Sequence, residues 1–134
     1  MMTKSWLRVS DNDQLCLELK QINPLSVSNL VVRTDNIRRA LIATNEIVPL
    51  FNQLQRVQAV SAHHSYPGDL VEVEFMMSGH GYRYRIGRDS DRTDEYWVFE
   101  TARAGTPGRE IGRIHSPILG KVLEALAHGA SPPR

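Results

Sequence analysis

Five histidines, one cysteine and a run of aspartates are the groups in this chain that could do chemistry, so their spacing comes first. His63 and His64 precede Asp69, and clusters of His and Asp hold metals. His80 falls in the first turn of a hairpin-rich region. A strand of eight residues spans about 26 Å, so His80 and the His63–His64 pair belong at opposite ends of a sheet and share no ion. His63 and His64 can approach only the acidic loop of Asp89, Asp91, Asp94 and Glu95, where solvated side chains are the simpler expectation. Residues 89–94 begin like a calcium loop, and Glu100 even falls at position twelve. Position six is Asp94 where the loop requires glycine, and strands flank it instead of helices. Gly79-His80-Gly81 lacks the third glycine of a dinucleotide fingerprint. Gly105-Thr106-Pro107-Gly108 has the bare spacing of an RNA-clamping loop but lies between strands. Cys16 has no local histidine and acid to activate it. Glu72 and Glu74 sit among arginines that keep carboxylates ionised. The expectation is no catalytic constellation, no metal site and no cofactor.

One further pattern carries chemistry. Tyr82-Arg83-Tyr84-Arg85 mixes aromatic and basic residues as surfaces that stack bases and neutralise phosphates do. The elements around it decide what it can reach. Val71, Val73, Phe75 and Met77 alternate with Glu72, Glu74 and Met76. Tyr82, Tyr84 and Ile86 alternate with Arg83 and Arg85, and Trp97 and Phe99 with Tyr96, Val98 and Glu100. Alternation of this kind predicts a half-buried antiparallel meander over residues 69–115. A loop at 78–81 sets Phe75 opposite Tyr84, Val73 opposite Ile86, Glu74 opposite Arg85 and Met76 opposite Arg83. A loop at 89–94 sets Tyr84 opposite Phe99, Ile86 opposite Trp97 and Arg83 opposite Glu100. A third hairpin through 103–108 puts Gly112 opposite Phe99 and Ile114 opposite Trp97, with glycine leaving room for the ring. The apolar face then holds Val71, Val73, Phe75, Met77, Tyr82, Tyr84, Ile86, Trp97, Phe99 and Ile114. The tyrosines point inward, and the arginines meet Glu74 and Glu100 on the other face. What remains is a corner of Arg85, Tyr96, Arg113 and His115, the expected contact for an anion or a nucleic acid.

Helices should cover the apolar face. Thr34 and Asp35 suit N-caps, and Ile37, Leu41 and Val48 can share a helical side. Pro49 has no N–H, so it suits the start of a second helix carrying Leu50, Phe51, Leu54 and Val57. The expectation is helix over 35–60, kinked or broken at Pro49, and a closing helix over 116–128. There Ser116 caps, Pro117 leads, and Ile118, Leu119, Val122, Leu123 and Leu126 share one side. Before residue 34 the pattern is two-valued. Trp6–Val9 and Gln14–Leu19 can form a hairpin around Ser10-Asp11-Asn12-Asp13, yet Leu, Glu, Lys and Gln also form helices. Residues 29–33 read either as a short strand or as the first helical turns. The fold class is α+β: an antiparallel sheet of four or more strands packed on one face by those helices. Residues 1–129 form a single globular domain, and 130–134 a frayed tail.

At 134 residues a chain buries roughly two-thirds of its unfolded surface, so no disulfide or metal is needed to stabilise it. The 41% hydrophobic and 23% charged residues are ordinary globular values and argue against intrinsic disorder. A net charge of +1 exerts no strong pull toward polyanions, although thirteen of the sixteen basic residues are Arg. A lone cysteine forms no intrachain disulfide, which favours a reducing compartment. No secretory signal opens the chain and no apolar run reaches a membrane span. Cytoplasmic is the expectation by elimination, with no membrane partner.

These observations point to a non-catalytic interaction module, a small subunit or adaptor working through a protein partner or self-association. A single-stranded nucleic-acid binder is the alternative. Four meander strands followed by a helix is similar in topology to the repeat of the Whirly and PUR families, a likeness of topology and not of motif. A third class is a ligand-binding or enzymatic domain of cystatin-like shape, with a cavity lined by Tyr82, Tyr84 and Trp97.

Overall fold

The computed structural model describes residues 11–34, 38–41, 44–60, 65–102 and 108–128. Its centre is the meander, β4 (Pro67–Met77), β5 (His80–Asp89), β6 (Glu95–Glu100) and β7 (Arg109–His115). β1 (Val27–Arg33), β2 (Arg38–Leu41) and the two-residue β3 (Gln58–Ala59) extend it to seven strands. The order is β2-β1-β4-β5-β6-β7-β3, and every pairing is antiparallel. Three helices, α1 (Asp11–Lys20), α2 (Thr44–Leu54) and α3 (Leu119–His128), pack against it, giving an α+β fold.

Each helix forms because its buried positions recur at i, i+3 or i+1, i+4 and i+7, the stripe a 3.6-residue period demands. Those positions are Leu15, Cys16, Leu19 and Ile22 at α1, and Ile47, Leu50, Phe51 and Leu54 on α2. On α3 they are Leu119, Val122, Leu123 and Leu126. Burying each such large side chain contributes about 1.5–3 kcal/mol. The Phe51 ring meets Phe75 of β4 edge-to-face at 4.9 Å, which seats α2 over the middle of the sheet. Ser116 caps α3 as its sequence predicts, its Oγ accepting from the Ile118 and Leu119 amides.

Two segments depart from expectation. The 14–19 segment is helix and not a hairpin arm, because tertiary burial takes Leu15 and Leu19 while Leu17 stays 46% exposed. The Trp6–Val9 arm lies outside the described residues. The described residues of the span 35–60 form strand, helix and strand instead of two helices: β2 pairs with β1, α2 ends at Leu54, and β3 pairs with β7. Pro49 neither starts nor ends a helix but sits inside α2. At the sixth of the helix's eleven residues, it forgoes the hydrogen bond back to residue 45 and sets its ring against the preceding turn.

Both hairpin registers also differ, with opposite consequences. The first closes in a two-residue turn, Ser78 and Gly79, both at positive φ, as a tight type I′ connection requires. Phe75 therefore faces Tyr82, Val73 faces Tyr84 and Glu74 faces Arg83, a shift of two that leaves every side chain on its expected face. The second loop is one residue longer, with Asp94 in the left-handed region at φ 67°. Tyr84 now faces Glu100, Ile86 faces Val98 and Gly87 faces Trp97. A shift of one turns β6 over: Tyr96 and Val98 enter the core, and Trp97 and Phe99 move to the other face. Gly112 lies opposite Val98, and Ile114 opposite Tyr96.

Candidate functional site: the open sheet face

The helices cover one side of the sheet, and the inverted β6 dresses the other. Trp97 and Phe99 are two residues apart on β6, so their half-buried rings lie along one line. They are nearly parallel, at 10° with centroids 6.3 Å apart. Arg113 is the register partner of Trp97 on β7, and its guanidinium carbon lies 3.7 Å from the indole centroid. A stacked cation of this kind contributes about 0.5–1 kcal/mol where solvent reaches it. Gly87, opposite Trp97 on the other side, carries no side chain to crowd the indole.

The indole is also held at its edge. Its Nε1 donates to Asp89 Oδ1 at 2.8 Å, and Ser65 Oγ donates to the same oxygen. Asp89 Oδ2 accepts the backbone amides of Asp91 and Arg92, both at 3.0 Å. Burial alone would push the Asp89 carboxyl up, but the bonds from Ser65, Trp97, Asp91 and Arg92 outweigh it. They hold the group well below the usual carboxylate range. Asp89 is thus a buried anchor for Trp97 and for the loop that follows, not the solvated loop acid or calcium ligand its neighbours suggest.

The charges around the rings are largely matched within the face. Arg33 Nη1 lies 2.6 Å from the buried Glu72 carboxylate. Arg83 holds Glu74 with both Nε and Nη2 and reaches the Ala102 carbonyl. Arg113 Nε donates to Glu110 at 3.3 Å. The expected Arg83–Glu100 pair does not form, because the β6 inversion carries Glu100 to the Tyr84 side, where Arg109 lies 4.0 Å away.

Of the four residues of the expected anion corner, the structure brings together two. Arg113 and His115 share the open face of β7, and Arg85 lies on that face two strands away, opposite Phe99. Tyr96 is on the other face, 4% exposed and covered by α3. The cavity expected between Tyr82, Tyr84 and Trp97 is absent as a grouping: Tyr82 stacks on Phe75, Tyr84 is buried, and Trp97 is across the sheet. Burial raises the Tyr84 hydroxyl pKa further still, reinforced by Glu18 and Glu100, so it is a neutral core group. Trp97, Phe99 and Asp89 are the face's principal residues that sequence reasoning misplaced. The signal was Gly87: glycine opposite a large aromatic picks out Gly87–Trp97 as readily as Gly112–Phe99.

Among the described residues no three His, Cys, Asp or Glu gather to hold a metal, and His63 and His64 lie outside them. No described helix is long and apolar enough to cross a membrane. No protein-family model, curated protein or solved structure matches the chain.

Proposed function

We propose that the chain is a non-catalytic interaction module that binds a protein partner through the open face of its sheet. One observation carries this reading: the Trp97–Phe99–Arg113 stack stands half-exposed on a surface whose flanking charges are already matched. Trp and Arg are enriched at the energetic centres of protein interfaces, Trp through its large rigid ring and Arg through its planar, multiply donating fork. Matched charges leave little net field, which suits another protein surface better than a polyanion.

The test is a titration of the purified partner, or a concentration series if that partner is a second copy, against wild type and Phe99→Ala. Phe99 bonds to nothing through its side chain, so its loss should leave the fold intact and weaken binding at least about tenfold. Unchanged affinity would remove the face from the account. Single-stranded nucleic acid is a second reading, favoured by the parallel rings beside a guanidinium, which bases can extend as a stack. Labelled single-stranded DNA and RNA titrated at low and physiological salt distinguish it. Steep weakening with salt, together with loss in Phe99→Ala, belongs to that reading alone.

A further inference from the structure

The opposite side of the sheet carries a second feature that the open face does not involve. Where the N-terminus of α3 crosses β5 and β6, a cleft of about 540 Å³ opens, lined by Val71, Ile86, Arg88, Tyr96, Leu123 and Glu124 among others. That volume lies within the range of small-ligand sites, about 300–1,000 Å³. Arg88 and Tyr96 are register partners, so their side chains leave the sheet side by side. Both converge on Gly120 in the first turn of α3. A Cβ there would lie 2.5 Å from the Tyr96 hydroxyl and 2.6 Å from Arg88 Nη2. Gly120 is therefore the residue that lets two polar groups reach into the cleft beneath the helix.

Among the described residues neither group has a partner. Only 4% of Tyr96 is exposed; its hydroxyl, which makes no hydrogen bond among the described residues, borders the cleft. The Arg88 guanidinium likewise has no carboxylate or carbonyl bound to it. The Arg88 guanidinium and the Tyr96 O–H stand side by side at Gly120, and both are donors, so an anion is what accepts from the pair.

From this geometry we infer that the cleft binds a small organic carboxylate, its anionic end held by Arg88 and Tyr96 and its apolar body against Val71, Ile86 and Leu123. Charge selects the class. Arg88 is a single cation, and Glu124 lines the same cleft. Asp89 also borders it, with its oxygens taken by Ser65, Trp97 and two amides. One cation facing an acidic wall suits a monoanion and disfavours a phosphate dianion. The fork of Arg88 matches a carboxylate bidentately.

The experiment is a titration of the full chain with 4-methylpentanoate, and separately with inorganic phosphate, followed by amide and arginine-side-chain NMR. The expected result is saturable shifts of Gly120, Lys121 and the Arg88 side chain with 4-methylpentanoate at millimolar concentration, and none with phosphate. Arg88→Gln and Tyr96→Phe, each retaining the wild-type spectrum elsewhere, should each weaken binding by about tenfold or more. Arg88 is exposed, so its variant remains a fair test should Tyr96→Phe disturb the core. No saturable shift, an equal response in Arg88→Gln, or tighter binding of phosphate would each overturn the assignment. Phe99→Ala should bind 4-methylpentanoate as wild type does; loss of binding there would also count against a site on this side of the sheet.

Discussion

Trp97 donates its indole N–H to the Asp89 carboxylate at 2.8 Å, and this bond ties the last residue of β5 to the strand that follows the loop. It also explains why β6 lies with its large aromatics outward. An indole turned to the core would have to find another acceptor there, whereas Asp89 on the open face supplies one and takes three further hydrogen bonds besides.

Asp89 should therefore mark the acid limb of stability. Its folded pKa lies below its unfolded value of about 3.9, so its contribution is complete at neutral pH. That contribution is lost as pH falls below about 4 toward the folded pKa. Asp89→Asn should cost about 1–3 kcal/mol at neutral pH. The gap between wild type and variant should narrow on acidification. Denaturant melts at pH 7 and pH 3 check this, and a gap that stays constant would show that charge is not what Asp89 contributes.

Gly112 on β7 is the seat of α1. A Cβ there would lie 2.8 Å from Leu15 Cδ2 and 3.1 Å from Leu15 Cβ. Gly112→Val should destabilise by about 1–3 kcal/mol through overpacking. Combining it with Leu15→Ala should cost less than the two changes summed, because they share one space. Strict additivity in urea melts would disconnect the two residues.

Pro49 lies within α2 without an N–H to offer. Pro49→Ala restores one helical hydrogen bond and removes the ring's clash with the preceding turn. It should stabilise the protein by about 1–3 kcal/mol. A lower melting temperature would mean that the ring's packing outweighs the bond it forgoes.

Cys16 is buried, and burial, then the nearby Asp13, raise its thiol pKa above the ordinary value. The thiolate is the reactive form. An aromatic disulfide reagent at pH 8 should label Cys16 slowly in the native protein and rapidly in urea. Equal rates would place Cys16 at the surface and undo the α1 packing.

The open-face stack should be energetically modest for the fold and large for binding. Arg113→Lys loses the planar guanidinium over Trp97 and should cost about 0.5–1 kcal/mol of stability. A cost several times larger in thermal melts would make the stack a structural device and weaken its reading as an interface.

Local pattern alone determined the fold class, the meander of β4 to β7, the faces of β4 and β5 and the capped α3. Those features follow from the period of apolar residues and from turn and cap chemistry, which act between near neighbours in the chain. Asp11–Lys20 and Arg38–Leu41 were not legible, because their residues suit helix and strand alike. Contact with β7 selects helix for the first, and pairing with β1 selects strand for the second. The candidate sites lay beyond the sequence for a related reason. Whether Trp97 or Tyr96 faces the helices turns on a single residue in the loop after Asp89. That count was settled by Asp89's hydrogen bonds, by the space above Gly87 and by Arg113 across the sheet. All three are long-range terms that exist only once the strands have met, and one step of register carries every side chain of β6 to the opposite face.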